Sequence, residues 1–203
     1  MGLFDWLTSK NKIEIAEHRI WLTQKAKYAG IHKEVAQAVA NPAGPSAVIV
    51  VAHFNDCLEQ LQTAVVGFDR DRVLVTCADV LAGRTSYFAA DESRSIIIIV
   101  GERHPLPSHD KVVMDFARSL PCRCQIVHHA SLEDSLLKLF CGEWIERVIR
   151  GFGMKDDQAI KSRMVGRRIQ SALEKIAKNA TGDVPANSAE EWLERNYPSQ
   201  EQK

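Results

Sequence analysis

Short apolar runs alternate with amphipathic stretches along this 203-residue chain. Residues 47–52 (AVIVVA) and 95–100 (SIIIIV) are continuous apolar runs rich in β-branched side chains, which is typical of strands buried on both faces. Residues 72–76 and 123–128 are two further strand candidates. Buried strands of this kind predict one parallel sheet with helices on both faces.

The segments around these strands carry apolar residues at three- and four-residue spacing, as helices do. Predicted helices cover residues 13–40, 55–66, 110–120, 132–150, 158–180 and 190–195. In the first of these, Gly30 marks a break, and the Pro- and Gly-rich residues 41–46 end the helix. Strands that alternate with helices indicate an α/β fold. We expect an N-terminal amphipathic segment over 1–16, a folded domain over 17–180, and a linker with a short helix over 181–203.

In parallel sheets, ligands bind beyond the carboxyl ends of the strands. The side chains that follow the predicted strands are therefore the candidates for binding an anion or a nucleotide: His53, Arg84, Thr85, Glu102, Arg103 and His104. The alternative is that charged neighbours such as Glu102 and Arg103 form structural salt bridges in a loop.

Composition narrows the class of protein. The 26 basic residues balance the 26 acidic ones, so no overall field favours nucleic acid as a partner. The five cysteines are odd in number and lie in apolar segments, which favours reduced thiols over a disulfide framework. No apolar run approaches the roughly 18–20 residues of a membrane span. We therefore expect a cytoplasmic protein.

One face of a predicted strand carries Cys122, Cys124 and His128, and these three residues are considered as a metal site. Residues four apart on a strand are about 13 Å apart, since each residue advances roughly 3.3 Å. Cys124 and His128 cannot share one ion over that distance. Small buried thiols are the plainer interpretation, and no metal site is predicted.

Two surface features point to a protein partner. The apolar cluster around Phe4 and Trp6 is too short to bind a membrane well on its own. This favours packing or a partner contact and leaves peripheral membrane contact open. The basic residues Lys161, Arg167 and Arg168 lie on a predicted helix and are candidates for contacting a protein or a phosphate group. A solvated helix face is the alternative.

Five segments occur in order along the chain: RIWLTQKAK (19–27), AGRT (82–85), GERH (101–104), SLEDSLLKLF (131–140) and the helical stretch 144–175. Together they resemble the second of the two RecA-like nucleotide-binding domains of SecA, the bacterial preprotein translocase motor. The resemblance implies a RecA-like, P-loop NTPase-like parallel sheet with a C-terminal helical extension. It also implies a role in protein transport.

The residues that this resemblance would require for ATP hydrolysis are missing. No GxxxxGK[ST] phosphate loop occurs in the 203 residues. The positions of the family's arginines between the ERH and SLED motifs fall on Met114, Phe116 and Ser119, and a slip of one residue would place Arg118 on the last. Ser86 stands where the family has Asp. Since an arginine finger is worth about 10³–10⁵ in rate, the resemblance implies a domain that does not turn over ATP.

These expectations favour a non-catalytic SecA-like domain that binds a protein, with a translocase component as the expected partner. Two alternatives stay open. One is a sensor that binds a nucleotide or phosphate at the strand ends without hydrolysis, and the other is an enzyme of unrelated chemistry in the same crevice. No cofactor is expected, although binding of ATP or ADP without hydrolysis stays open under the first alternative.

Overall fold

The computed structural model describes residues 13–16, 18–81, 83, 94–140, 147, 151, 157–161 and 163–197. The strands in this part of the chain are β1 (Ile13–Ile15), β2 (Arg19–Trp21), β3 (Ala47–Ala52), β4 (Val73–Cys77), β5 (Ser95–Val100), β6 (Arg123–Ser131) and β7 (Ile160–Lys161). The helices are α1 (Gln24–Ala40), α2 (Asn55–Ala64), α3 (Pro107–Ser119), α4 (Ser135–Phe140), α5 (Arg163–Asn179) and α6 (Ala189–Asn196). A 3₁₀ turn over Ala78–Val80 follows β4 directly.

The strands form one mixed sheet in the order β4-β3-β5-β6-β2-β7. Every pairing is parallel except that of β7 with β2, which is antiparallel. The long strand β6 pairs with β1 along its first half and with β2 along its second half, where Trp21 lies opposite Ser131. β1 and β2 together therefore extend the sheet beyond β6.

The two faces of the sheet bury alternate side chains of the same strands. On one face, Ile49 and Val51 of β3 belong to a cluster with Phe116 of α3. On the other face, Val48 and Val50 belong to a cluster with residues of α1 and α2. Helices thus cover both faces of a mostly parallel sheet. This arrangement confirms the predicted α/β class.

The prediction of one helix over residues 13–40 is wrong in its first part. Residues 13–15 and 19–21 form β1 and β2, and α1 begins only at Gln24. The extended conformation of these residues depends on pairing with β6, which lies more than 100 residues further along the chain. Local spacing cannot report such a contact. Thr23 Oγ1 accepts a hydrogen bond from Ala26 N at 3.1 Å and caps the start of α1.

The predicted break at Gly30 is also wrong, because α1 continues through it to Ala40. A Cβ atom on Gly30 would lie 2.0 Å from Cζ2 of Trp21. Glycine is therefore present at this position because the helix backbone and the Trp21 indole approach each other closely, not because the helix turns.

The helix predicted from residue 158 begins later. Residues 160–161 form β7 on the outer edge of β2, and α5 begins at Arg163. The C-terminal residues pack on this end of the sheet: Trp192 of α6 is 1% exposed and shares a cluster with Phe54, Leu137 and Ile169. Among the residues described, no helix is both long enough and apolar enough to cross a lipid bilayer.

Candidate functional site

The four candidates that follow β3 and β5 enter three different environments. His53 and Arg103 meet at the carboxylate of Asp110. His104 faces a small pocket that is closed on one side by the C-terminal segment. Glu102 lines a separate cavity beside α1 and α2. Arg84 and Thr85 lie outside the described residues, so their proposed role in binding a ligand stays a prediction.

Asp110, in the first turn of α3, is the centre of the first environment. Arg103 Nε donates to Asp110 Oδ2 at 2.5 Å. His53 Nε2 lies 2.9 Å from Oδ1, although it is not aligned for a hydrogen bond. Burial alone would raise the pKa of the Asp110 carboxyl, but His53 and Arg103 hold it well below its usual range. Arg103 thus forms the structural ion pair that was the alternative to ligand binding.

The imidazoles of His18, which is half-buried, and of His128, which is buried, lie behind this ion pair. The rings of His18 and His128 are stacked with centroids 5.3 Å apart, and Arg103 Nη1 lies 3.5 Å from His18 Nε2. Burial, and then the charge of Arg103, lowers the pKa of His18 to about 4 and that of His128 well below its usual value. Both rings are therefore neutral near pH 7, and Asp110 balances the charge of Arg103.

His104 lines a pocket of about 330 Å³ together with His53, His109, Asp79, Asp183 and Trp192. Its Nδ1 accepts a hydrogen bond from Leu106 N at 3.0 Å, so the neutral ring carries its proton on Nε2. The ring stacks on His109 at 3.8 Å between centroids. Burial and the neighbouring imidazoles lower the pKa of His104 to about 3.

One atom from each of His104, His109 and Asp183 lies within 4.8 Å of the others, a spacing that a metal ion could bridge. A ligating histidine ordinarily donates its second ring N–H to an acceptor. In His104 that relation is reversed, because Nδ1 already accepts the Leu106 amide and Nε2 carries the proton. His109 Nε2 and Asp183 Oδ2 are paired at 2.8 Å. The donor set in this arrangement does not fit a metal ion.

The third environment contains a fully buried lysine. Lys27, in the first turns of α1, is 1% exposed, and its Nζ donates to Asp134 Oδ1 at 2.8 Å. Glu102 is 9% exposed, and its Oε1 has no hydrogen-bond partner among the residues that the structure describes. Burial raises the pKa of Glu102 to about 8 against the opposing charge of Lys27, and the carboxylates of Asp56 and Asp134 add to the rise.

Sequence reasoning missed Lys27 and Asp110 as partners of these groups. Lys27 ends the RIWLTQKAK segment, and Asp110 follows the GERH segment by six residues. A charged residue inside a predicted amphipathic helix is ordinarily on its solvated face. Only the packing of α1 and α3 against the sheet shows that these two are buried.

The predicted partner-binding residues are divided between two elements. Lys161 is exposed on β7, whereas Arg167 and Arg168 are exposed on α5. The expectation that all three lie on one helix is therefore wrong for Lys161. Phe4 and Trp6 lie outside the described residues. A contact between any of these five side chains and a partner stays a prediction.

Arg118 lies in the last turn of α3, about 57% exposed, with Nη1 2.8 Å from Asp115 Oδ1. Helix α3 begins beside the carboxyl end of β5, and eleven residues at roughly 1.5 Å each place Arg118 about 16 Å along the helix from that end. Arg118 thus lies far from the crevice that contains His53 and His104. Phe116, aligned with a family arginine, is 4% exposed in the core.

Comparison with known proteins agrees with the resemblance seen in the motifs. The chain is 28% identical to the protein translocase subunit SecA of Xylella fastidiosa (strain 9a5c) over an alignment of 189 residues that covers 84% of this chain. The chain is similar to SecA. A 48-residue stretch, 24% of this chain and 5% of each relative, is 40% identical to the SecA proteins of Stenotrophomonas maltophilia (strain R551-3) and Xanthomonas campestris pv. campestris (strain B100).

The chain spans only 20% of the Xylella SecA that it matches. No protein-family profile matches it. Among solved structures, the C-terminal part of the Fun30 ATPase domain superposes with a TM-score of 0.41 and 10% sequence identity, over 75% of this chain and 54% of that one. The sequence comparison confirms the predicted resemblance to SecA.

Proposed function

We propose that this chain is a non-catalytic SecA-like domain that binds a protein of the export pathway. The observation that carries the proposal is a contrast between the long alignment with SecA and the loss of a side chain that ATP hydrolysis would require. The chain aligns with SecA over 84% of its length, yet a side chain that aligns with a family arginine, Phe116, packs in the core. A domain with this combination supplies a surface rather than a reaction.

The charges at the strand ends support the same proposal over the nucleotide sensor. Asp110 neutralises Arg103, and Asp134 neutralises Lys27. His104, with its pKa lowered to about 3 by burial, is uncharged near pH 7. Cationic side chains bind phosphate strongly through charge-assisted hydrogen bonds. These described groups are committed to internal partners instead.

The test uses the full 203-residue chain, purified with an affinity tag. We expect saturable binding to purified SecA or to another purified component of the export machinery, measured by biolayer interferometry. We also expect no ATP turnover above that of a buffer blank. If no export component binds, the assignment to the export pathway is wrong. Turnover that rises in proportion to the concentration of the chain would exclude a non-catalytic domain.

Any turnover must be separated from a contaminating ATPase. Arg118 is the arginine that a one-residue slip of the alignment would place at a family position. If it acted as an arginine finger, Arg118→Ala would lower the rate by about 10³–10⁵. Arg123 is also exposed, and Arg123→Ala serves as the matched control. We expect neither variant to change the rate, because we expect no catalysed turnover.

A further inference from the structure

A cavity of about 610 Å³ lies between the first turns of α1, the start of α2 and the residue that follows Gly101 after β5. Its lining includes Lys27, Tyr28, Asp56, Cys57, Glu59 and Glu102. The cavity is distinct from the pocket beside His104, which is lined by residues of α3 and the C-terminal segment. Among the predicted binding residues that the structure describes, Glu102 alone lines it.

Acidic side chains outnumber basic ones in the lining of this cavity, with Asp56, Glu59 and Glu102 against Lys25 and Lys27. Lys27 is paired with Asp134, whose Oδ1 lies 2.8 Å from Nζ. Of the acidic side chains in the lining, Asp56 and Glu59 are exposed and Glu102 is buried. Lys25 also lines the cavity, but its side chain is exposed. Burial raises the pKa of both Asp56 and Glu102, and their mutual repulsion adds to the rise for Glu102.

Glu102 provides the second observation. The residue is 9% exposed, and Oε1 has no hydrogen-bond donor among the described residues. Buried polar atoms in folded proteins nearly always have a partner, so an exception calls for an explanation. An N–H donor supplied from outside the chain would satisfy this oxygen, and a positively charged donor would favour the ionised form of the Glu102 carboxyl, whose raised pKa keeps it largely protonated near pH 7 in the free protein.

The size of the cavity selects the kind of donor. A volume of about 610 Å³ is far larger than a single metal ion needs. Across the described residues, no three His, Cys, Asp or Glu ligand atoms at this cavity come within reach of one ion. An alkyl chain that ends in a positively charged nitrogen fits both features, because its stem fills space while its head reaches the carboxylates.

We propose that this cavity binds the ammonium or guanidinium group of a lysine or arginine side chain from a protein partner, with Glu102 and Asp56 as the accepting carboxylates. The assignment to a protein side chain rests on the proposed function. Asp134 keeps Lys27 from repelling the incoming cation, since it neutralises the ammonium already present. Charge-assisted hydrogen bonds of this kind are shorter and stronger than neutral ones.

The experiment titrates the full ¹⁵N-labelled chain with N-acetyl-lysine methylamide and follows the amide resonances by NMR. The uncharged control probe is N-acetyl-norleucine methylamide, and n-butylammonium tests a free amine. We expect saturable shifts at Asp56, Cys57 and Glu102 with the lysine probe and none with norleucine. Glu102→Gln should weaken binding at least about tenfold, roughly the effect of losing one hydrogen bond to a charged group.

Glu102→Gln is suited to this test because Gln has the shape of the protonated acid. The matched control is Glu174→Gln, the same change at an exposed position on α5, which should leave binding unchanged. Equal shifts with norleucine, no saturation, or equal binding by Glu102→Gln would overturn the site. Tighter binding of n-butylammonium than of N-acetyl-lysine methylamide would overturn the assignment to a protein side chain.

The experiments distinguish an error in the proposed function from an error in the proposed cavity site. If an export component binds the wild-type chain and Glu102→Gln with the same affinity, the proposed function stands and the site is wrong. If no export component binds while the lysine probe saturates the cavity and requires Glu102, the site stands and the export role is wrong.

Discussion

The indole of Trp21 lies against the backbone of Gly30, so close that a Cβ atom there would be 2.0 Å from Cζ2. Trp21 is also held by a hydrogen bond from its Nε1 to His129 Nδ1 at 3.1 Å, and the two rings are stacked. Strand β2 is thereby anchored to β6 on one side and to α1 on the other. The indole has little freedom to move away from a larger side chain at position 30.

Gly30→Ala should therefore destabilise the protein even though alanine favours helices. Helix propensity alone would stabilise α1 by roughly 1 kcal/mol, whereas overpacking typically costs about 1–3 kcal/mol. We expect a net loss in the free energy of unfolding, measured by urea denaturation. Gln37→Ala, at an exposed position of the same helix, should change it by less than about 0.5 kcal/mol.

Trp21→Phe should partly rescue Gly30→Ala, because the smaller ring vacates the space that the new methyl group needs. A double-mutant cycle measures the coupling. If the two changes are additive, the close approach of Trp21 and Gly30 does not determine the residue at position 30.

Breaking the Lys27–Asp134 pair should be costly. Asp134→Asn keeps an oxygen that can accept from Ser131 N, now at 2.7 Å from Asp134 Oδ2, but removes the charge that balances Lys27. Because Lys27 is 1% exposed, we expect a loss of about 3 kcal/mol or more in urea denaturation.

The exposed pair of Arg118 and Asp115 is the control for this change, since its side chains are 57% and 54% exposed. Asp115→Asn should cost less than about 1 kcal/mol. Similar losses for the two variants would mean that Lys27 is accessible to water.

Stability should fall on both sides of near-neutral pH. Burial lowers the pKa of His18 to about 4 and that of His104 to about 3, from 6.5 in the unfolded chain. Below pH 6.5 the unfolded chain therefore binds more protons, and the free energy of unfolding decreases as pH falls toward 4. Urea midpoints measured from pH 4 to pH 9 test this acid limb.

Glu102 acts in the opposite sense, because burial raises its pKa from 4.5 to about 8. The contribution of Glu102 to the free energy of unfolding is fully present below about pH 4.5 and is lost as pH rises through 8. The decline in the free energy of unfolding between pH 6.5 and 8 should become shallower in Glu102→Gln and should persist in Glu174→Gln. If the decline between pH 6.5 and 8 is unchanged in Glu102→Gln, Glu102 is already ionised in the folded state in that pH range.

The C-terminal segment should contribute to the stability of the fold. Trp192 is 1% exposed, and its Nε1 donates to Asp183 Oδ1 at 2.9 Å. Trp192→Ala should cost about 3–5 kcal/mol, the range for a buried aromatic residue. Val184→Ala, at a side chain that is 52% exposed, should be near neutral. A small effect of Trp192→Ala would mean that α6 packs only loosely on the domain.

The candidate site was predictable only in part. His53, Glu102, Arg103 and His104 were found because parallel strands place their following residues at one edge of a sheet. What each side chain contacts was not predictable. Glu102 and Arg103 are adjacent in sequence, yet Glu102 lines a cavity with Lys27 whereas Arg103 pairs with Asp110 on the other side.

The sequence by itself determined those strands and helices whose conformation follows from their own residues. Residues 47–52 and 95–100 were correctly predicted as buried strands, because uninterrupted β-branched runs suit a sheet covered on both faces. Tertiary structure decided the rest. Residues 13–15 and 19–21 are extended only because β6, far along the chain, supplies their hydrogen-bond partners. Lys27 is buried only because Asp134 lies opposite it. Pairings between distant segments leave no periodic signal in either segment, and so only the folded chain reveals them.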